Sequence, residues 1–595
     1  MIAQVVFDLP IDGPFDYFIP ETLASQVIPG TRVKVSFCNR NQIGFVVGLV
    51  KESAIAKLKP ILSLADRLAV FNSLDIAFAQ EFSFYYGGSL GESLNTVLRN
   101  KKEPKPSLCR DHQPQISLYR CQPDSYVVKT QKIIDEYRGR YKDTVGNYCR
   151  FLILVPDAFR AQLFSQHLRF SSLDGGSIKI GMRSSVFEAD GKLDCVIMID
   201  EEDSSYKQEQ KPMYETRQVL LMRSKIYGFD IAFIGITPSV ELMGLARGAQ
   251  VKLINDAAME CSKARLVDLT NYKFVPGLIS PPVRDALDAS LKTGKKSVLV
   301  LNRRGSYRMT RCVDCAEILK CTHCDSSLIY SKSEGKFLCR HCTYTLSGET
   351  VCPKCRKPSW KSVGIGVEQV QTELKKLFPN AKIFAFERSA RVSAKSAYPA
   401  KGGESLPNFD ILISTSAVLR FQGTLKVQTA AFIDFDAELN RLDMRSAFNA
   451  FSLALHISSM SLDPVFIQTR NISHYVLQSL SRGKTQDFYD EELKLRKEFG
   501  FSPFKHWIKI SWRGKIEKIT KEAALQVYNA LSQMVPEKCS ITPPLADIVG
   551  RKRDQFRFNI MVQTDHVPQA VAFIKSSLTK IKRPSRVIVS LNVDP

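Results

Sequence analysis

The chain has 595 residues, of which 44% are hydrophobic and 24% charged, and a formal net charge of +23. This length exceeds one core and predicts about three to five domains, while no apolar run approaches the ~18 residues that cross a bilayer, which excludes a membrane-spanning protein. The cationic surplus favours a polyanionic partner and is concentrated, with 12 basic against 5 acidic side chains in residues 303–361 and 16 against 7 in residues 505–595.

The first ten residues, MIAQVVFDLP, have no basic stretch before their apolar residues and include Asp8. No secretory leader is expected, and a cytoplasmic, nucleoid-associated location with reduced thiols follows. In residues 1–105, short β-prone runs (IDGPFDY, VIPGTRVKVSF, NRNQIGFVVGLV) broken by Gly and Pro predict a small barrel-like β domain, with a helix near IAFAQEFSFYYGGSL. Phe15 and Tyr17 offer faces that stack on a base, and Asp16 a carboxylate that accepts from a hydroxyl. The plainer alternative is two core aromatics around a turn-forming Asp16. Residues 106–115 lie in the Pro- and charge-rich stretch NKKEPKPSLCRDHQPQ and read as a linker.

From there, short apolar strands alternate with helical stretches. FLILVP, CVIMID, IAFIGI and SVLVLN form one set; IFAFE, DILIST, AAFIDFD and PVFIQT form another. The pattern predicts two doubly wound α/β lobes, at 116–275 and 276–484, which is the layout of a helicase-type ATPase. The strand CVIMID runs into four carboxylates, Asp200, Glu201, Glu202 and Asp203.

Inside the second lobe, residues 312–355 hold four CxxC pairs: Cys312/Cys315, Cys321/Cys324, Cys339/Cys342 and Cys352/Cys355. Two such knuckles complete a tetrahedral thiolate site, so eight thiols predict two structural Zn²⁺ ions. The β-prone stretch between Cys324 and Cys339 suggests a hairpin that returns the third knuckle to the second. A nested pairing follows, with Cys312, Cys315, Cys352 and Cys355 outside and Cys321, Cys324, Cys339 and Cys342 inside; a cross-braced pairing of the first knuckle with the third is the alternative. In residues 485–595, β runs and amphipathic helices alternate in a βαββαβ-like pattern, which predicts a compact α+β domain.

Several of these segments carry a resemblance. IDEEDSSYKQEQKPMYETRQV, GITPSVEL, LNRRGSYRMTRCVDC, the eight-cysteine block, GIGVEQVQTELKKLFPNAKIFAFERS and FYDEELKLRKEFGFSPF stand in the order found in the PriA family of primosomal replication-restart proteins. FDLPIDGPFDYFIP…GTRVKVSF and YYGGSLGESL resemble that family's N-terminal DNA-binding domain, so the resemblance covers most of the chain. It implies two RecA-like helicase lobes, an inserted two-zinc module, a β-rich domain that binds a nascent 3′ end and a C-terminal α+β domain. It also implies DNA contacts by Phe15, Asp16, Tyr17 and Lys59, and by Arg551, Lys552, Arg553 and Arg557, with Phe556 and Phe558 interleaved for stacking. The implied partners are forked or branched DNA, single-stranded DNA, the single-stranded-DNA-binding protein, other primosome components and the replicative helicase loading machinery. Cys38 stands where the family often has glycine, and a winged-helix domain has no room after residue 115.

Departures from the family concern ATP chemistry. A phosphate-cradling GxTGSGKT loop is expected before FLILVP, yet no glycine occurs between Gly91 and Gly139. The DEEH box reads Asp200, Glu201, Glu202, Asp203; LALHISSMSLDP, lacking arginine, stands for QxxGRAGR, and STSAVLRFQG for a GTQM-type motif. Arginine fingers contribute ~10³ to 10⁵ in rate. The expectation is a restart factor that recognises stalled or branched forks and nucleates primosome assembly without ATP-driven unwinding: not an enzyme, with no catalytic residues, and with the acidic corner a solvated, structural strand end. The alternatives are an active ATP-dependent 3′–5′ superfamily-2 DNA helicase and a zinc-dependent protein scaffold.

Overall fold

The computed structural model describes residues 1–100, 108, 111–140, 149–169, 177–255, 263–272, 277–301, 309–315, 317–322, 328–331, 335–339, 344–363, 366–386, 406–441, 443–552, 554–581 and 584–595. Five antiparallel strands open the chain: β1 (Ile2–Phe7), β2 (Phe15–Phe18), β3 (Arg32–Phe37), β4 (Arg40–Val50) and β5 (Ile61–Leu64), in the order β2-β1-β4-β3-β5. The two edges meet where Phe18 bridges Pro60 and its N–H donates to the Lys59 carbonyl at 3.0 Å, so the sheet closes into a barrel. The period-two alternation of β1 and β2 sends Ala3, Val5, Phe7, Phe15 and Tyr17 inward to a core shared with Val33, Val35, Val46 and Ile61.

Helix α1 (Ser73–Tyr86) starts at an Asn72/Asp75 capping box and stops at Gly87, whose φ of 75° is left-handed; α2 (Leu90–Asn100) follows. Helix α1 docks on the next domain through Asp75, which accepts from the Tyr227 hydroxyl at 3.0 Å. Beside it, the buried Arg223 guanidinium lies 4.7 Å and 4.6 Å from the Phe78 and Tyr227 ring centres.

Lobe one runs β6 (Ile116–Arg120), α3 (Tyr126–Arg140), β7 (Arg150–Leu154), α4 (Ala158–His167), β8 (Ser177–Gly181), β9 (Cys195–Ile199), α5 (Thr216–Tyr227), β10 (Asp230–Gly235), α6 (Val240–Arg247) and β11 (Lys252–Asn255). Its sheet is parallel in the order β11-β6-β10-β9-β7-β8. Every residue of β9 and β10 is buried, because helices cover both faces; this is why the strands read as continuous apolar runs.

Lobe two holds β12 (Arg265–Asp268), α7 (Pro281–Lys292), β13 (Ser297–Val300), the insert strands β14 (Met309–Cys312), β15 (Ile329–Ser331), β16 (Lys336–Leu338), β17 (Thr345–Ser347) and β18 (Trp360–Val363), then α8 (Val367–Leu377), β19 (Ile383–Phe386), β20 (Ile411–Ser414), β21 (Thr429–Phe432), α9 (Asp436–Leu439), α10 (Ser446–Ser458) and β22 (Phe466–Thr469). Its parallel sheet has the order β12-β22-β21-β13-β20-β19. The span 116–275 assigned to lobe one therefore includes a strand of the other sheet, since β12 pairs with β22. A four-residue strand cannot announce which sheet it joins, because that depends on its partner.

Two helices, α11 (Tyr475–Arg482) and α12 (Thr485–Phe499), lead to β23 (His506–Gly514), α13 (Glu517–Ser532), β24 (Cys539–Ile541), β25 (Leu545–Lys552), β26 (Gln555–Thr564), α14 (Val567–Lys580) and β27 (Ile588–Val593). The sheet runs β24-β26-β23-β27 with β25 also on β26, one short strand more than the βαββαβ pattern expected. Among the described residues no helix is long and apolar enough to cross a membrane.

Candidate functional site

The acidic corner follows β9 directly. Asp200 turns the chain there with φ at 46°, a left-handed conformation that aspartate tolerates better than most residues, and its N–H donates to the Ile234 carbonyl at 2.8 Å. The corner is not solvated, contrary to the sequence expectation: Asp200 is 1% exposed and Glu201 3%.

Each carboxylate has a partner. Asp200 Oδ1 accepts from the Tyr126 hydroxyl at 2.6 Å, and Oδ2 lies 2.9 Å from Arg160 Nη1 as an ion pair whose N–H is not aimed well enough for a hydrogen bond. Glu201 accepts from Arg217 Nη1 at 2.6 Å and from the Ser239 N–H at 2.7 Å. Glu202 Oε1 stands 3.0 Å from His456 Nε2, and Asp203 accepts the Ser205 N–H at 2.8 Å.

The arginines come from lobe one, and the lid comes from lobe two. Arg160 Nη2 donates to Gln422 Oε1 at 3.0 Å, which fixes the amide; Gln422 Nε2 then faces His456 Nδ1 at 2.6 Å. The Phe159 and Phe421 rings meet at 6.0 Å, and Lys426 pairs with Asp124 at 3.2 Å. Burial keeps His456 below the usual imidazole range, with Arg160 in the same direction. Burial, with Asp200 and Glu201 adding to it, pushes Glu202 well above the usual carboxylate range. The corner is thus a buried polar strap between the lobes. Where a glycine-rich loop is expected, β6 passes to α3 through a single turn at 123–125, and Tyr126 spends its hydroxyl on Asp200 and on the Ile236 N–H. Sequence reading passed over Gln422 and His456, although both lie in the segments it had set against family motifs.

A second buried hub joins lobe one, lobe two and α12. Burial alone would raise the Glu241 carboxyl, but Arg445, Arg496 and Arg217 outweigh it and hold the group at about 2. Arg496 also binds Glu492 at 2.8 Å and the Ser502 carbonyl at 3.0 Å.

In the insert, β14 pairs with β18 and brings the first and fourth knuckles together. Cys312 and Cys355 Sγ lie 3.5 Å apart, as do those of Cys315 and Cys352, and all four fall within 4.8 Å of one another. Tetrahedral Zn–S bonds of about 2.3 Å require sulfur atoms roughly 3.8 Å apart, so the four thiols fit a metal ion. Cys321 and Cys339 are buried on the hairpin side, with the Cys339 N–H on the Tyr344 carbonyl at 2.7 Å; Cys324 and Cys342 lie outside the described residues.

The N-terminal barrel separates the predicted DNA residues. Tyr17 is 4% exposed and donates its hydroxyl to the Ser36 carbonyl at 3.1 Å, and Phe15 packs on Phe37 at 5.0 Å between ring centres. These two are core residues, because β2 alternates and they share its inward face with the barrel's apolar cluster. Asp16 faces out and accepts from Ser53 Oγ at 2.5 Å; exposed Lys59 abuts Phe18, which is 46% exposed and escaped the sequence reading.

In the C-terminal sheet Phe558 is 5% exposed, opposite the equally buried Trp512, so it is core and not a stacking platform. Phe556 is half-buried against the same core. Arg557 on β26 faces Arg513 on β23, a cross-strand pair of like charges. Arg551 and Lys552 end β25, and Arg553 lies outside the described residues.

Two family models match the ends of the chain: the PriA 3′ DNA-binding domain over residues 4–99 and the primosomal protein N C-terminal domain over residues 497–595. The chain belongs to the PriA family. Along its whole length it is 26% identical to the Replication restart protein PriA of Treponema pallidum, covering 100% of this chain and 99% of that one. The PriA of Rickettsia conorii is 24% identical over 100% and 99% of the two chains, and that of Bacillus subtilis 25% identical over 70% and 53%. Among solved structures, the yeast helicase Dbp5 bound to RNA matches with a TM-score of 0.31 at 9% identity, over 68% and 96% of the chains. The Pyrococcus furiosus Hef helicase domain matches with a TM-score of 0.28 at 9%, over 61% and 94%.

Membership of the PriA family corrects one expectation. The diverged nucleotide motifs had placed the chain outside the enzymes; a helicase family with PriA relatives aligned end to end places it among helicase-class proteins. It is a PriA replication restart protein of helicase-like architecture.

Proposed function

We propose that this PriA-family protein recognises forked, branched and single-stranded DNA and nucleates primosome assembly there, with recognition and nucleation independent of ATP-driven unwinding. The observation that carries the reading is the N-terminal barrel: it matches the PriA 3′ DNA-binding model and turns Asp16, Phe18 and Lys59 outward at its seam. Asp16 accepts the terminal hydroxyl of a nascent strand, Phe18 stacks on its base, and Lys59 meets phosphate. Arg551, Lys552, Arg553 and Arg557 extend the phosphate contacts from the C-terminal sheet.

The four outer thiols hold one Zn²⁺, and Cys321, Cys324, Cys339 and Cys342 hold a second. Four thiolates leave no open position, so both ions fold the insert and take no part in chemistry. The partners are the single-stranded-DNA-binding protein, other primosome components and the replicative helicase loading machinery.

Family membership favours a second reading, ATP-dependent 3′–5′ unwinding by the same lobes, for which the Arg160–Asp200 and His456–Glu202 contacts have to give way. Forks differing only in a 3′-hydroxyl or 3′-phosphate on the leading strand test the first proposal. Tighter binding of the hydroxyl fork, lost in Asp16→Asn and unchanged by ATP, supports it; equal binding of both forks sinks it. Sustained fork-dependent phosphate release establishes the second.

A further inference from the structure

The polar strap between the lobes contains more carboxylate than cation. Asp200, Glu201, Glu202 and Asp203 carry four formal negative charges, and among the described residues the arginines paired with them are two, Arg160 and Arg217, which leaves −2. Hydrogen bonds account for most of the oxygens, but Glu202 Oε2 is buried without a partner, on a side chain 6% exposed. An orphaned buried carboxylate oxygen is costly and points to a missing ligand.

The atoms around that oxygen define the ligand. Carboxylate oxygens of Asp200 and Glu202 and a ring nitrogen of His456 lie within 4.8 Å of one another. Metal bonds of about 2.0–2.2 Å to imidazole and carboxylate place neighbouring ligand atoms about 3 Å apart, so a closure of an ångström or two suffices. Two carboxylates with one imidazole suit divalent first-row ions such as Mn²⁺ or Zn²⁺. Gly235 leaves room for it: a Cβ there would stand 3.5 Å from Asp200 Oδ1 and 3.8 Å from Glu202 Oε2.

We propose that Asp200, Glu202 and His456 bind one divalent first-row metal ion, without nucleotide, and that this ion staples lobe one to lobe two. The ligand set departs from a nucleotide-bound magnesium site in drawing its imidazole from α10 of lobe two, 254 positions from Glu202.

One rearrangement is required. As arranged, Gln422 Nε2 donates to His456 Nδ1, which puts the imidazole proton on Nε2 facing Glu202. Coordination through Nε2 moves that proton to Nδ1, and the Gln422 amide turns over so that its oxygen accepts. Arg160 gives up Gln422 and keeps Asp200. A ligating histidine whose other nitrogen donates to a carbonyl is the usual supporting arrangement.

The test uses the full-length protein with its thiol clusters loaded with zinc, so that added manganese, which thiolates bind poorly, reports elsewhere. Titration followed by electron paramagnetic resonance is expected to show one Mn²⁺ per chain held at least ten-fold more tightly than any other, with pulsed-resonance modulation from a bound imidazole nitrogen. Manganese is also expected to raise the thermal midpoint. Glu202→Gln and His456→Asn, each checked for an unchanged circular dichroism spectrum, are expected to weaken that ion at least ten-fold and abolish the thermal shift. Absence of a stoichiometric ion, a bound ion without nitrogen coupling, or binding indifferent to the substitutions overturns the proposal. Should His456→Asn fail to fold, Glu202→Gln, which preserves size and shape, decides by the same criteria.

Discussion

Glu241 shows how burial and charge compete at a single side chain. Desolvation opposes its ionisation, yet three surrounding arginines hold it at about 2. Its folded pKa lies below the ordinary 4.5, so its contribution is complete above about pH 4.5 and disappears as pH falls through 2. Glu241→Gln is expected to cost on the order of 3 kcal/mol at pH 7 and to flatten the loss of stability between pH 4.5 and 2. Acid unfolding of the two proteins, followed side by side, checks this. Neighbours on β2 give a second contrast. Phe18→Ala removes an outward ring and is expected to weaken fork binding by about 1–3 kcal/mol with an unchanged melting temperature. Tyr17→Ala removes an inward one and is expected to destabilise the barrel by about 3–5 kcal/mol, read by thermal melting. Both rings sit in the same FDYF tetrapeptide; only the direction of the pleat separates a binding residue from a core residue.

At the scale of elements, α2 lies so close to β1 that only glycine fits at its second position: a Cβ on Gly91 would come 1.8 Å from the Phe7 carbonyl oxygen. Backbone cannot yield as a flexible side chain does. Gly91→Ala is expected to loosen α2 from the barrel at about 1–3 kcal/mol, seen as faster amide exchange in both α2 and β1. The thiol insert provides the complementary case. Its small strands bury little apolar surface, so Cys352→Ser or zinc extraction is expected to unfold β14 and β18 while β9 and β10 retain their exchange protection. Amide exchange with and without a chelator distinguishes that outcome from global unfolding. The strands β9 and β10 were legible as uninterrupted apolar runs because a two-sided burial admits no polar alternation. The sheet membership of β12 was not, since four residues carry no mark of their partner.

Over the whole molecule, positive charge sits on the insert and the C-terminal domain, at opposite ends of the second half of the sequence. Fork affinity is expected to fall linearly in log–log with salt, by about 0.9 per phosphate neutralised, and replacing Arg551 and Arg557 by Ala should reduce that slope by about two. Binding measured at four or five salt concentrations gives the slope directly.

Composition and spacing alone determined the thiol knuckles, the two α/β lobes and the family, because metal ligation and buried parallel strands demand local residue patterns. The tertiary structure decided the state of the acidic corner. Sequence reading took Asp200 to Asp203 for a solvated end, since the residues around them supply nothing to cover them. Gln422 and His456, more than two hundred positions away, cover and bind them once the lobes close, and proximity of that kind leaves no trace in a linear pattern.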